Sequence, residues 1–107
     1  MWARSIPRTG VVRLAFLGGE ALDSANSQEA KASALAAIGD ATEVFVDLAG
    51  IEFIDSAGLS VLVALFKALR ARGGRVRFHG LRPAVRSILE IIRLDKIFEI
   101  TDDPVEV

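Results

Sequence analysis

Apolar residues along this chain switch repeatedly between short strand-like runs and stretches with helical spacing. Trp2 to Ile6 predicts a short strand, and Pro7-Arg8-Thr9-Gly10 supplies turn chemistry after it. Val11 to Leu17 is rich in strand formers and stops at Gly18-Gly19. From Asn26 to Ile38 the spacing becomes helical, with Ala30, Ala34, Ala37 and Ile38 on one face and Gly39-Asp40 closing the segment. Alanines on that face predict close packing against a sheet. Val44-Phe45-Val46-Asp47-Leu48 is a short apolar run between polar turns, the pattern of a strand buried on both faces.

The best-defined helix runs from about Ser56 to Ala71. Leu59, Leu62, Phe66 and Leu69 follow helical spacing, and Gly73-Gly74 supplies a stop. Arg75 to Phe78 reads as a strand. Pro83 opens a third helix where a missing N–H costs least, with Val85, Ile88, Leu89 and Ile92 as its inward stripe. Lys96 to Ile100 predicts a final short strand, and Thr101 to Val107 a frayed tail. Strands alternating with helices imply an α/β architecture: a mixed sheet of about four to five strands with crossover helices packed on it. The first two strands would form a hairpin, which makes the sheet mixed. A length of 107 residues fits a single domain spanning residues 1–107.

Composition narrows the function classes. The chain is 51% hydrophobic and 25% charged, the balance of a folded globular protein. Basic and acidic residues number 13 and 14, so no strong field points to nucleic acid. Arg70, Arg72, Arg75 and Arg77 straddle Gly73-Gly74 and read as a solvated helix end and strand start. The absence of cysteine excludes disulfides, thiolate metal sites and cysteine nucleophiles. His79, the sole histidine, stands at a strand end before Gly80 and reads as structural; with scattered carboxylates it offers no metal-ligand spacing. Arg4 and Arg8 lead into a charged strand rather than an apolar signal segment. The apolar stretch from Ala57 to Phe66 is too short to span a bilayer. A cytoplasmic protein with no membrane insertion is therefore expected.

The candidate chemistry lies in Phe53-Ile54-Asp55-Ser56-Ala57-Gly58-Leu59, where a loop enters the central helix. Asp55 and Ser56 both suit a helix start, because their oxygens accept from the unpaired N–H groups of the first turn. Capping alone explains them structurally. A hydroxyl there is also exposed, and a phosphate on it would meet N–H groups and the positive end of the helix dipole. Such a modification would add about two negative charges without wrecking the fold. A partner docked over the helix start would then lose affinity through desolvation and repulsion. The apolar arc of this helix extends to Val61, Val63 and Leu65, leaving a narrow polar strip near Ser60 and Lys67. Either the helix is buried in a crowded core, or one edge of the arc is open to a protein partner.

Four blocks in order resemble the STAS domain family, and specifically its bacterial anti-sigma factor antagonists. They are Gly19-Glu20-Ala21-Leu22-Asp23; Val46-Asp47-Leu48 through Ile54-Asp55-Ser56-Ala57-Gly58-Leu59; Gly73-Gly74-Arg75-Val76; and Pro83-Ala84-Val85 to Leu94-Asp95-Lys96-Ile97-Phe98. Together they cover most of the chain from about Val11 to Ile100. Family members usually read Gly-Glu-Leu-Asp, whereas this chain carries an extra residue, Ala21, inside that block. The resemblance implies that Ser56 is phosphorylated by an anti-sigma factor that is itself a serine kinase. It implies that the unphosphorylated form binds that kinase, and that a phosphatase would reverse the modification. Asp23, Asp55, Ser56, Ala57, Gly58 and Leu59 are the implied partner-binding residues. Asp23 and Asp55 would shape the loop electrostatics, Gly58 would let the partner's backbone approach, and Leu59 would supply apolar contact. The chain ends soon after its last strand, where many relatives continue into another helix, which favours self-association into a homo-oligomer.

Catalysis by the chain itself is not expected, and neither is a cofactor or a bound metal. Ile54-Asp55-Ser56-Ala57-Gly58 lacks the first glycine of a nucleophile elbow, and neither glycine pair has a phosphate-cradling pattern. The alternative belongs to transport: a STAS subunit of a phospholipid-transport ABC system, or a regulatory STAS domain of an anion transporter. In the ABC case the helix after Ser56 would dock permanently on an ATPase, and the serine would be mainly a cap.

Overall fold

The computed structural model describes residues 1–17 and 21–101. The expected stop at Gly18-Gly19, Gly19 and Glu20 of the first block, and the tail beyond Thr101 lie outside the described residues. Strands β1 (Trp2–Arg8) and β2 (Val11–Phe16) form the antiparallel hairpin. A two-residue strand β3 (Ala21–Leu22) leads into helix α1 (Ser27–Ile38), and β4 (Glu43–Asp47) follows. A second two-residue strand, β5 (Phe53–Ile54), precedes helix α2 (Ser56–Ala71). Then come β6 (Arg75–His79), α3 (Pro83–Ile91), a 3-10 turn (Leu94–Lys96) and β7 (Glu99–Thr101). The main sheet runs β1-β2-β4-β6-β7, with every pairing after the hairpin parallel. It is the mixed α/β sheet that the alternation of elements implies, with five strands.

One face of the sheet makes the core. Val12, Leu14, Phe16, Val44, Val46 and Phe78 point to it and are buried. Ala30, Ala34 and Ile38 of α1 meet them, and the alanines bring that helix close to the strands. From α2, Val61, Leu62, Leu65 and Leu69 are all fully buried. The chain leaves α2 through a Schellman motif: Gly74 N–H donates to the Leu69 carbonyl at 2.7 Å and Gly73 N–H to that of Arg70 at 3.1 Å. Gly73 takes φ 74°, the left-handed conformation that favours glycine. Helix α2 therefore begins and ends where the spacing predicts.

Three expectations need correction: Pro7 and Arg8, expected in the turn after a strand ending at Ile6, belong to β1, and only Thr9 and Gly10 turn. The predicted strand from Lys96 to Ile100 is a 3-10 turn over Leu94–Lys96 followed by a shorter strand from Glu99. Arg93, at φ 66°, makes the sharp turn out of α3. That turn also removes Ile92 from the inward stripe: it caps α3 and is 45% exposed, whereas Val85 and Leu89 are buried.

The opposite face of the sheet has a different chemistry. Register places Ser5, Arg13, Phe45, Arg77 and Glu99 in one row across the strands. Phe45 is only 2% exposed, and the Arg77 guanidinium lies 5.1 Å from its ring centroid. Arg77 in turn pairs with Glu43 at 2.7 Å and, through Nε, with Glu99, while Arg75 bonds both Glu99 oxygens at 2.8 Å. The arginines read from sequence as a solvated strand start thus form an ionic lid over Phe45. This lid explains how β4 is buried on both faces.

The adjacent row is Ala3, Ala15, Asp47, His79 and Thr101. His79 is 5% exposed, and its Nε2 has no hydrogen-bond partner among the described residues. Burial pushes its pKa below the ordinary 6.5; Arg13 acts in the same direction and Asp47 opposes them. Native His79 therefore resists a proton that the unfolded chain accepts, so stability falls as pH drops below about 6.5 and levels off below the native pKa. Because no other histidine is present, the loss between about pH 7.5 and about pH 5.5 should be visible in urea unfolding and smaller in His79→Phe. An identical pH slope in both proteins would contradict this account of His79.

Candidate functional site

The site is assembled by pairing that local periodicity does not reveal. Strands β3 and β5 pair in parallel, Ala21 with Phe53 and Leu22 with Ile54. The next residues, Asp23 and Asp55, therefore leave the two strands side by side, and Ser56 follows. The extra residue Ala21 is itself part of β3 and leaves Leu22-Asp23 in step with Ile54-Asp55.

Asp55 is the N-cap of α2, extended at φ −111° and ψ −173°, and its Oδ1 accepts from Gly58 N–H at 2.9 Å. Its Oδ2 accepts from Ser24 N–H at 3.1 Å, across the gap to the loop after β3. One carboxylate thus ties the helix start to the preceding loop. The Gly58 hydrogen bond, helped by Ser24, holds the Asp55 carboxyl below its ordinary 3.8. That loop has its own Asx turn: Asp23 Oδ1 accepts from Ala25 N–H at 3.0 Å, and Asp23 N–H donates to Asn26 Oδ1 at 2.9 Å. Asp23 thus lies one residue before the Ser24 amide that Asp55 holds, and both carboxylates accept from backbone N–H groups.

Ser56, the first residue of the helix, is exposed, and its hydroxyl has no hydrogen-bond partner among the described residues. Ser60, one turn on, differs, because its hydroxyl donates to the Ala57 carbonyl at 2.5 Å. Since Asp55 occupies the capping seat, a phosphate on Ser56 would project outward beside an existing negative charge. Ala57 is half-buried, and Leu59, at 9% exposure, belongs to the core with only an edge at the surface.

Gly58 departs from the role expected of it. It is buried, and a Cβ there would lie 2.0 Å from the Leu22 carbonyl oxygen and 2.7 Å from Ile54 Cγ1. The missing side chain makes room for β3 of the same chain rather than for a partner's backbone. Helix propensity alone predicts that Gly58→Ala stabilises by about 1 kcal/mol. The clash predicts the opposite sign, a net loss of about 2 kcal/mol. Chemical denaturation decides between them, and a stabilised variant would contradict the packing described here.

Comparison with known proteins places this geometry in context. The chain is 36% identical over 83 residues to BtrV of Bordetella bronchiseptica, a candidate anti-sigma factor antagonist, covering 76% of this chain and 71% of that protein. It is 31% identical over 62 residues to the anti-sigma F factor antagonist of Paenibacillus polymyxa, covering 58% of this chain and 53% of that one. The chain thus spans about half the length of the Paenibacillus relative. Among solved structures, a candidate anti-sigma factor antagonist of Thermotoga maritima superposes with a TM-score of 0.84 at 25% identity, covering 95% of this chain and 86% of the other. The family model for the STAS domain matches residues 3–106. With its hairpin, parallel strands and helices in the same arrangement as a known relative, this chain belongs to the STAS domain family.

Proposed function

We propose that this chain is an anti-sigma factor antagonist whose affinity for its anti-sigma factor is switched by phosphorylation of Ser56. The observation that carries this reading is the exposed Ser56 hydroxyl, without a hydrogen-bond partner among the described residues, beside an N-cap whose carboxylate is already engaged on both oxygens. The hydroxyl is available to a kinase, and no capping bond has to break when it is modified. Relatives at 31% and 36% identity bear the name anti-sigma factor antagonist, which favours the switch over the transport readings.

In this reading the chain catalyses nothing and acts in the cytoplasm as one STAS unit. The anti-sigma factor is the serine kinase, and the nucleotide and its metal belong to that kinase. A phosphate adds about two negative charges next to Asp55 and close to Asp23, and desolvating that cluster under a partner is unfavourable. The unphosphorylated chain binds, the phosphorylated chain lets go, and a phosphatase restores binding.

Incubation with the cognate anti-sigma kinase and ATP should add one phosphate, and Ser56→Ala should abolish it. Intact mass spectrometry and peptide mapping read the outcome; phosphate on Ser60 or Ser87 instead would refute the site. In calorimetry Ser56→Ala should keep its affinity for the anti-sigma factor, while Ser56→Glu should weaken it about tenfold or more. Equal affinities would favour a permanent-subunit role.

A further inference from the structure

Ser56 stands at one end of a second feature, a groove of about 470 Å3 on the outer side of α2. Its floor is a single stripe of that helix: Ser56, Leu59, Ser60, Val63, Ala64 and Lys67. These positions follow the i, i+3, i+4 spacing of one helix face, so the floor runs about 16 Å, or three turns. Lys31 of α1 stands on its rim, and Ile92 and Leu94 complete the lining. The αL turn at Arg93 separates those two residues and leaves Ile92 half in solvent. A non-glycine residue rarely adopts that conformation, so its surroundings must hold it there. Ile91, the residue before Ile92, is 78% exposed.

The groove combines apolar Leu59, Val63, Ala64, Ile92 and Leu94 with the hydroxyls of Ser56 and Ser60, and it is positive in charge. Lys31 and Lys67 are its only ionisable lining groups among the described residues, and no carboxylate lines it. Both lysines are exposed, and neither has an ion-pair partner among the described residues. A trough three turns long, with apolar Leu59, Val63 and Ala64 along its floor and two lysines that have no ion-pair partner among the described residues, matches an amphipathic helix whose apolar stripe is flanked by acidic residues. We propose that this groove seats such an acidic amphipathic helix of the anti-sigma factor. The proposal rests on the Ser56 switch reading and supplies the switch with a mechanism. Phosphate on Ser56 would place its negative charge at the end of a trough that holds a negative helix, and would compete with that helix for the lysines.

The test is photo-crosslinking of the full chain to the anti-sigma factor from a benzophenone side chain placed at Val63 or at Ile92. A control carries it at Ile97, which is 56% exposed and lines a different groove, beside Phe66 and Glu99. Crosslinks from positions 63 and 92 should map by mass spectrometry to one acidic helical segment of the partner. The double variant Lys31→Glu/Lys67→Glu should weaken the complex about tenfold or more, and charge reversal in the mapped segment should restore it. A complex that Ser56 phosphorylation still controls, but that crosslinks only through position 97 or to a basic segment, overturns the groove and leaves the switch standing. Binding of the wild-type chain to vesicles of anionic lipid, lost in the double lysine variant without any protein crosslink, would assign the groove to a membrane and overturn the proposal. Failure of any complex to form would remove both this proposal and the switch.

Discussion

Much of the site depends on one carboxylate. Asp55 accepts from Gly58 N–H on one oxygen and from Ser24 N–H on the other, and so joins the start of α2 to the loop that follows β3. Without that bridge the two-residue ladder between β3 and β5 would have little to fix its register. An isolated pair of such short strands is marginal, and Gly58 supports it by letting the Leu22 carbonyl approach the helix. Because Asp55 serves as the cap, the hydroxyl of neighbouring Ser56 faces solvent and has no hydrogen-bond partner among the described residues.

The rest of the fold provides rigidity behind this point. Helices α1 and α2 press on one face of a five-stranded sheet, and α2 contributes a row of fully buried aliphatic residues. The other face is closed by charge. Arg77 covers Phe45 and is itself held by Glu43 and Glu99, so a layer of ion pairs serves where another fold would place a helix. Such half-exposed pairs contribute modestly one by one, but here they also shield a buried aromatic ring from water. The inner core thus fixes the base of α2, while Ser56, Ser60 and Lys67 on its outer side are exposed.

The features legible in the sequence were those encoded locally. Helix α2 could be bounded at both ends because Asp55 and the Gly73-Gly74 pair are local signals for a cap and a stop. Ala30, Ala34 and Ile38 announced the buried face of α1 by spacing alone. Pairing between distant segments was not legible. Strands β3 and β5 are two residues each, too short for any periodicity, and nothing near Ser24 signals its bond to Asp55. Ile92 fitted an inward stripe by spacing, yet the chain had already left the helix by a turn at Arg93, a residue type that gives no warning of positive φ. The need for glycine at position 58 lies in the carbonyl of Leu22, thirty-six positions away in the chain, which local pattern does not reveal. The charged lid was hidden for the same reason, since Glu43, Arg77 and Glu99 meet only across strands.

The bridge made by Asp55 can be observed directly by following the backbone amide resonances of Gly58 and Ser24 as pH is lowered from about 6 to about 2. If one carboxylate accepts from both, the two amides shift together with a common midpoint below 3.8. Movement of Gly58 alone, or a common midpoint at or above 3.8, would contradict the account: the helix would be capped, but the loop carrying Asp23 would not be fastened to it.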